Sequence, residues 1–109
     1  MVYYSSDLDL TFSALSDPTR RAIISRLAEG ETSIIELAAP FDMSLPAVTK
    51  HIRVLEKAGL LTRKKQGRVQ YCRLNAVPMR DATNWLAFYQ SFWDSKLDSL
   101  ANFLEENAE

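Results

Sequence analysis

Cysteine is nearly absent from this 109-residue chain: Cys72 stands alone, so no disulfide can form within it. Histidine is equally scarce, with only His51. One thiol, one imidazole, no paired carboxylates in a plausible cleft and no phosphate-cradling glycine loop leave no constellation for catalysis, and no enzyme is expected. No apolar run reaches the roughly 18 residues that a membrane-spanning helix needs. The opening stretch MVYYSSDLDL lacks the basic start and apolar centre of a secretory leader. A cytoplasmic protein is expected on these grounds. Glycine is limited to positions 30, 59 and 67. With 47% hydrophobic and 25% charged residues, the chain should bury a modest core as one domain, residues 1–109.

The net charge of −1 hides a strong asymmetry. Residues 42–74 hold eight Lys/Arg against two acids, a net of +6, while the remainder holds five against twelve, a net of −7. A basic segment on an acidic body points to a polyanion-binding face. A membrane surface would attract the same charges. The basic segment offers no Trp or Phe to insert, however, so no membrane partner is expected.

The centre of the basic segment is SLPAVTKHIRVLEKAG, residues 44–59. Val48, Ile52 and Leu55 recur at i, i+4 and i+7 and predict one buried helix face. Pro46, Thr49, Lys50, Arg53 and Lys57 fall on the opposite side, which carries no acid. Gly59 is placed to close the helix as a left-handed cap. Ser44 is a good N-cap whose hydroxyl must serve the amide of Ala47, because Pro46 has none. Upstream, Ser33 and Glu36 have capping-box spacing for a short helix that Pro40 stops. Two short helices joined by a tight turn make a helix-turn-helix over residues 33–58, in which the second helix enters the major groove. An ordinary helical hairpin has the same local pattern.

After Gly59, Leu60–Lys65 and Val69–Leu74 each read as a strand around Gly67, a hairpin over residues 60–74. Arg63, Lys64, Lys65 and Arg68 crowd its tip, and a polyanion would relieve their mutual repulsion. Cys72 reads as a small buried strand residue. Earlier in the chain, Leu8, Leu10, Phe12 and Leu15 predict a first short helix. Asp17-Pro18 starts another that runs to a cap at Gly30, with Arg20, Arg21 and Arg26 facing outward. After Pro78, Trp85, Phe88, Tyr89, Phe92, Trp93, Leu97, Leu100 and Leu104 keep helical spacing. This exceeds what the domain can bury alone, and it predicts a dimer interface anchored on large aromatics.

The run from Phe12 to Leu74, with its paired signatures LSDPTRR and SLPAVTKHIRVLEKAGL, resembles the winged-helix core of the ArsR family of bacterial transcriptional repressors. The resemblance implies a mainly α fold of about five helices with a small β-hairpin, a dimeric winged helix-turn-helix. Its first and last helices, residues 1–16 and 79–106, would form the interface through Leu8, Phe12, Trp85, Phe88, Tyr89, Phe92, Trp93, Leu97 and Leu100. It implies a repressor reading an inverted-repeat operator. Helix 44–58 would contribute Ser44, Pro46, Ala47, Thr49, Lys50 and Arg53 in the major groove. The wing, residues 63–70, would place Arg63, Lys64, Lys65 and Arg68 on the backbone or in the minor groove. The expected partners are double-stranded DNA and a second copy of the chain, with a small-molecule inducer of unspecified chemistry as a further one. The sequence departs from the metal-sensing members. Where they carry a cysteine pair it reads IIELAAPF, and Asp81 is followed by Thr83 with no histidine after His51, so no metal or cofactor is expected. The competing reading is a protein-interaction domain of the same fold, which would have no reason to keep Lys50, Arg53 and Arg68 on one side.

Overall fold

The computed structural model of the chain describes residues 6–108, so positions 1–5 of the expected N-terminal interface segment lie outside it. In chain order the elements are α1 (Ser6–Ala14), α2 (Pro18–Leu27), β1 (Thr32–Ser33), α3 (Ile34–Ala38), α4 (Leu45–Lys57), β2 (Leu61–Gln66), β3 (Val69–Leu74) and α5 (Val77–Glu106). Five helices and a wing match the expected class.

Local chemistry sets most of the boundaries. The Asp17 carboxylate accepts from the Arg20 amide at 3.1 Å and caps α2, with Pro18 in the first turn. The Ser33 hydroxyl accepts from the Glu36 amide at 3.2 Å. The capping box is only half made, because the Glu36 carboxylate accepts from the Thr32 hydroxyl at 2.5 Å. The Ser44 hydroxyl accepts from the Ala47 amide at 3.3 Å, the arrangement that Pro46 forces. At the other end of α4, Gly59 adopts φ 77°. The Leu60 amide donates to the Leu55 carbonyl and the Gly59 amide to the Glu56 carbonyl, both at 3.0 Å, a Schellman closure.

Three boundaries differ from the sequence expectation. Helix α2 ends at Leu27 with Ala28 as its right-handed cap, so Gly30 is not the cap but part of the turn into β1. Pro78 lies inside the first turn of α5, where a missing amide costs nothing. The hairpin is also not alone: β1 adds a third strand, giving an antiparallel sheet of order β1-β3-β2 with Thr32 opposite Cys72 and Ser33 opposite Tyr71. In the hairpin itself Leu61 faces Leu74 and Gln66 faces Val69. This leaves Gly67 and Arg68 as a two-residue loop whose first residue has φ 62°.

The core gathers under α4. Val48, Ile52 and Leu55 are fully buried and pack with Ile23, Leu27, Leu37, Leu60, Leu61 and Cys72. Each such side chain contributes roughly 1.5–3 kcal/mol by leaving water. Burial of the same kind pushes the Cys72 thiol up to about 11, so it stays protonated and inert in the sheet.

Candidate nucleic-acid interface

Helix α4 turns its other side to solvent. Ser44, Pro46, Lys50, Arg53 and Lys57 are exposed, and Ala47 and Thr49 are half-buried. Leu45, Thr49 and Arg53 follow one another at i, i+4 and i+8 along the edge of α4 nearest the wing. With Ile35 of α3 and Arg63, Arg68, Val69 and Gln70 of the hairpin they line an open cleft of about 330 Å³. The fold therefore brings Thr49, Arg53, Arg63 and Arg68 of the expected site together. Sequence reasoning passed over Ile35, Leu45, Val69 and Gln70, which reach the cleft. The i, i+4, i+8 relation of Leu45 to Thr49 and Arg53 was the available signal.

The wing cations do not act as one cluster. Arg63 is not at the tip but three residues into β2, opposite Cys72. Its Nη2 and Nε donate to the two carboxylate oxygens of Glu56 at 2.8 and 3.2 Å, and its Nη1 donates to the Gln70 side-chain oxygen at 3.3 Å. The bidentate pair holds the Glu56 carboxyl below its usual range and raises Arg63. Arg63 thus fastens the wing to the last turns of α4. Lys64 and Lys65, opposite Tyr71 and Gln70, stand on alternate faces of the ribbon, both exposed. Arg68 occupies the second position of the turn and is exposed.

A second network ties α4 to α1 and α2. Arg20 was expected to face outward, but its guanidinium turns inward. Nε donates to the Ala14 carbonyl at 2.6 Å, Nη2 to the Ser13 carbonyl at 3.3 Å and Nη1 to His51 Nδ1 at 3.2 Å. The first two contacts satisfy carbonyls at the end of α1. Because arginine only donates, Nδ1 accepts and the ring proton lies on Nε2. Asp17 Oδ2 stands 3.8 Å from the same Nδ1. The Arg20 amide and, more weakly, the Arg20 charge hold the Asp17 carboxyl below its usual range. Arg21 likewise donates to the Leu15 carbonyl at 2.8 Å. Helix α4 is thus fixed to the end of α1 by hydrogen bonds as well as by apolar packing.

The α1–α5 side looks different. Phe12 stacks edge-on against Trp85 at 5.7 Å between ring centres, and Trp85 lies 4.9 Å from Tyr89. Beyond that, Phe88 is 75% exposed, Trp93 60%, Phe103 60% and Leu97 57%. Leu8 is half-buried, while Phe92 and Leu100 are exposed. A separate cleft of about 480 Å³ opens where α1, the end of α4 and the start of α5 meet, lined in part by Asp7, Thr11, Lys57, Asn75 and Asp81.

His51 Nδ1 is occupied by Arg20, Cys72 is buried and protonated in the sheet, and among the described residues no three His, Cys, Asp or Glu side chains gather as a ligand set. Also among the described residues, no helix is long and apolar enough to cross a membrane.

A helix-turn-helix whose second helix exposes cations beside a basic β-ribbon defines the winged helix-turn-helix class. Residues 15–64 match a family model described as a helix-turn-helix domain. Over 86 residues the chain is 31% identical to the transcriptional repressor SdpR of Bacillus subtilis, covering 79% of this chain and 96% of that protein. It is 45% identical to an ArsR family transcriptional regulator of known crystal structure, with a TM-score of 0.80 over 87% of this chain and 98% of that one. A homodimeric winged helix-turn-helix DNA-binding domain from Mycobacterium bovis shares the fold at 24% identity, with a TM-score of 0.61 over 91% of this chain and 95% of that one. The chain belongs to the ArsR family and is a winged helix-turn-helix transcriptional regulator.

Proposed function

We propose that two copies of the chain bind one inverted-repeat operator and repress transcription there, acting by binding and not by catalysis. The observation that carries this reading is the acid-free outward face of α4. Lys50, Arg53 and Lys57 are exposed there, with Arg68 across the cleft at the wing tip. The repressor named among the relatives, and the homodimer named among the structural neighbours, support the same reading. The segments 1–16 and 79–106 would pair the two copies and set the spacing of the half-sites.

Within a half-site, Ser44, Pro46, Ala47, Thr49, Lys50 and Arg53 face the major groove, and Arg53 is the side chain best suited to the N7 and O6 of a guanine. Lys64 and Lys65 meet phosphates from the two faces of the wing. Arg68 extends toward the minor groove, and Arg63 positions the ribbon through Glu56. A small-molecule inducer would act best in the cleft between α1, the end of α4 and α5, which touches both the reading helix and the pairing helices.

Selection of bound sequences from random duplex DNA tests the reading. Enrichment of an inverted repeat is expected, and no enrichment would refute it. On the enriched duplex, Arg53→Ala should lose about 1–3 kcal/mol and relax preference at one position per half-site. Lys64→Ala should weaken cognate and random DNA alike and lower the salt slope by roughly 1 per contact. A wing variant that changes base preference, beside a helix variant that only lowers affinity, would reverse the assignment.

A further inference from the structure

We infer that Leu45 and Thr49 form an apolar contact that reads the C5-methyl group of a thymine in each half-site. The inference rests on the DNA-binding reading above and deepens it. Leu45 sits in the first turn of α4 and is 47% exposed, in a cleft that it shares with Arg53, Arg63 and Arg68. Ile35, 71% exposed, and Val69, 40% exposed, line the same cleft. Large apolar groups left in water beside Arg53, Arg63 and Arg68 need an occupant that is both polyanionic and locally apolar. A protein partner with an apolar face would not match the surrounding cations. In a duplex, the only apolar group at the major-groove base edges is the thymine methyl.

Thr49 sharpens the inference. Its hydroxyl donates to the Leu45 carbonyl at 2.9 Å, inside its own helix. The hydroxyl proton is thus unavailable to a base acceptor, and the γ-methyl remains for contact. Leu45 and Arg53 lie eight residues apart, about 12 Å along the helix. With about 3.4 Å between successive bases, the thymine falls about three to four base pairs from the position that Arg53 reads.

The probe is the duplex enriched by the selection above, synthesised with uracil replacing each thymine of one half-site in turn. Uracil removes the methyl and nothing else. One substitution should weaken wild-type binding about 4-fold, the worth of one buried methyl. In Leu45→Ala that penalty should vanish. Thr49→Ser, which deletes the methyl, should lose more affinity than Thr49→Val, which deletes the hydroxyl. A bound operator whose half-site has no thymine, or whose thymines can all become uracil without loss, overturns the inference while the DNA-binding reading stands. So does an unchanged uracil penalty in Leu45→Ala, or a Thr49→Val loss that exceeds that of Thr49→Ser. Absence of any enriched duplex overturns both.

Discussion

Helices α4 and α5 are both amphipathic, yet one chain completes only the first. In α4 the apolar stripe Val48, Ile52 and Leu55 is fully buried, and both flanks are tied down, to α1 through Arg20 and His51 and to the wing through Glu56 and Arg63. In α5, among the described residues, only Ala82 is buried, while Phe88, Phe92, Trp93, Leu97, Leu100, Phe103 and Leu104 all remain more than half exposed. A 30-residue helix is about 45 Å long, about two-thirds of the molecule's 67 Å longest extent. An apolar face of that length exceeds what a monomer ordinarily leaves in water. The core and two side-chain networks hold α4 in a fixed pose, whereas the apolar face of α5 is left uncovered by its own chain; on the proposed reading, DNA meets the first and a second copy covers the second.

Substitutions in the two faces should therefore fail in different ways. Ile52→Ala opens a cavity in a sealed core and should cost about 2–5 kcal/mol of folding stability, read by chemical denaturation. Trp93→Ala should hardly change the fold of one chain but weaken self-association by about 30-fold or more, as a central aromatic anchor does. Sedimentation at several concentrations reads this. Equal losses of folding stability in the two variants would break the comparison. Arg20→Ala removes three hydrogen bonds from a charged donor and should cost about 1.5–3 kcal/mol. Arg20→Lys should recover only part, since an ammonium cannot span the two carbonyls and His51 at once. Full recovery by lysine would mean that charge alone matters there.

The smallest effect belongs to the Glu56–Arg63 pair, which is partly exposed and worth at most about 1 kcal/mol. The folded Glu56 carboxyl titrates below its ordinary value of 4.5. The pair therefore stabilises above pH 4.5 and loses that contribution as the pH falls further. Wild type and Glu56→Gln should differ in stability at neutral pH and converge in acid. A difference that grows on acidification would contradict the assignment.

Much of this architecture was legible in the residues, because local chemistry decides it. The Ser44–Ala47 cap follows from the missing amide of Pro46, the Schellman closure from Gly59, and the tight turn from Gly67-Arg68. What stayed hidden depends on distant partners. The strand Thr32–Ser33 is two residues long and exists only because β3 accepts it, so it has no period of its own. Arg20 looked like a surface cation until the end of α1 and His51, 31 residues away, gave it acceptors. Arg63 looked like part of a free tip until the register put it beside Glu56. In the site, the outward cations of α4 were legible from periodicity, whereas the apolar wall of the cleft was not. Ile35 and Val69 meet Leu45 only through tertiary packing.

On the proposed reading, α4 is finished within one chain and α5 by two. The most direct test is the mass of the protein alone and on a single enriched duplex, measured at micromolar concentration for wild type and Trp93→Ala. The account predicts twice the 12.4 kDa chain mass for free wild type, two chains per duplex, and single chains of free Trp93→Ala. Free wild type at one chain mass, or one chain saturating the duplex, would contradict it.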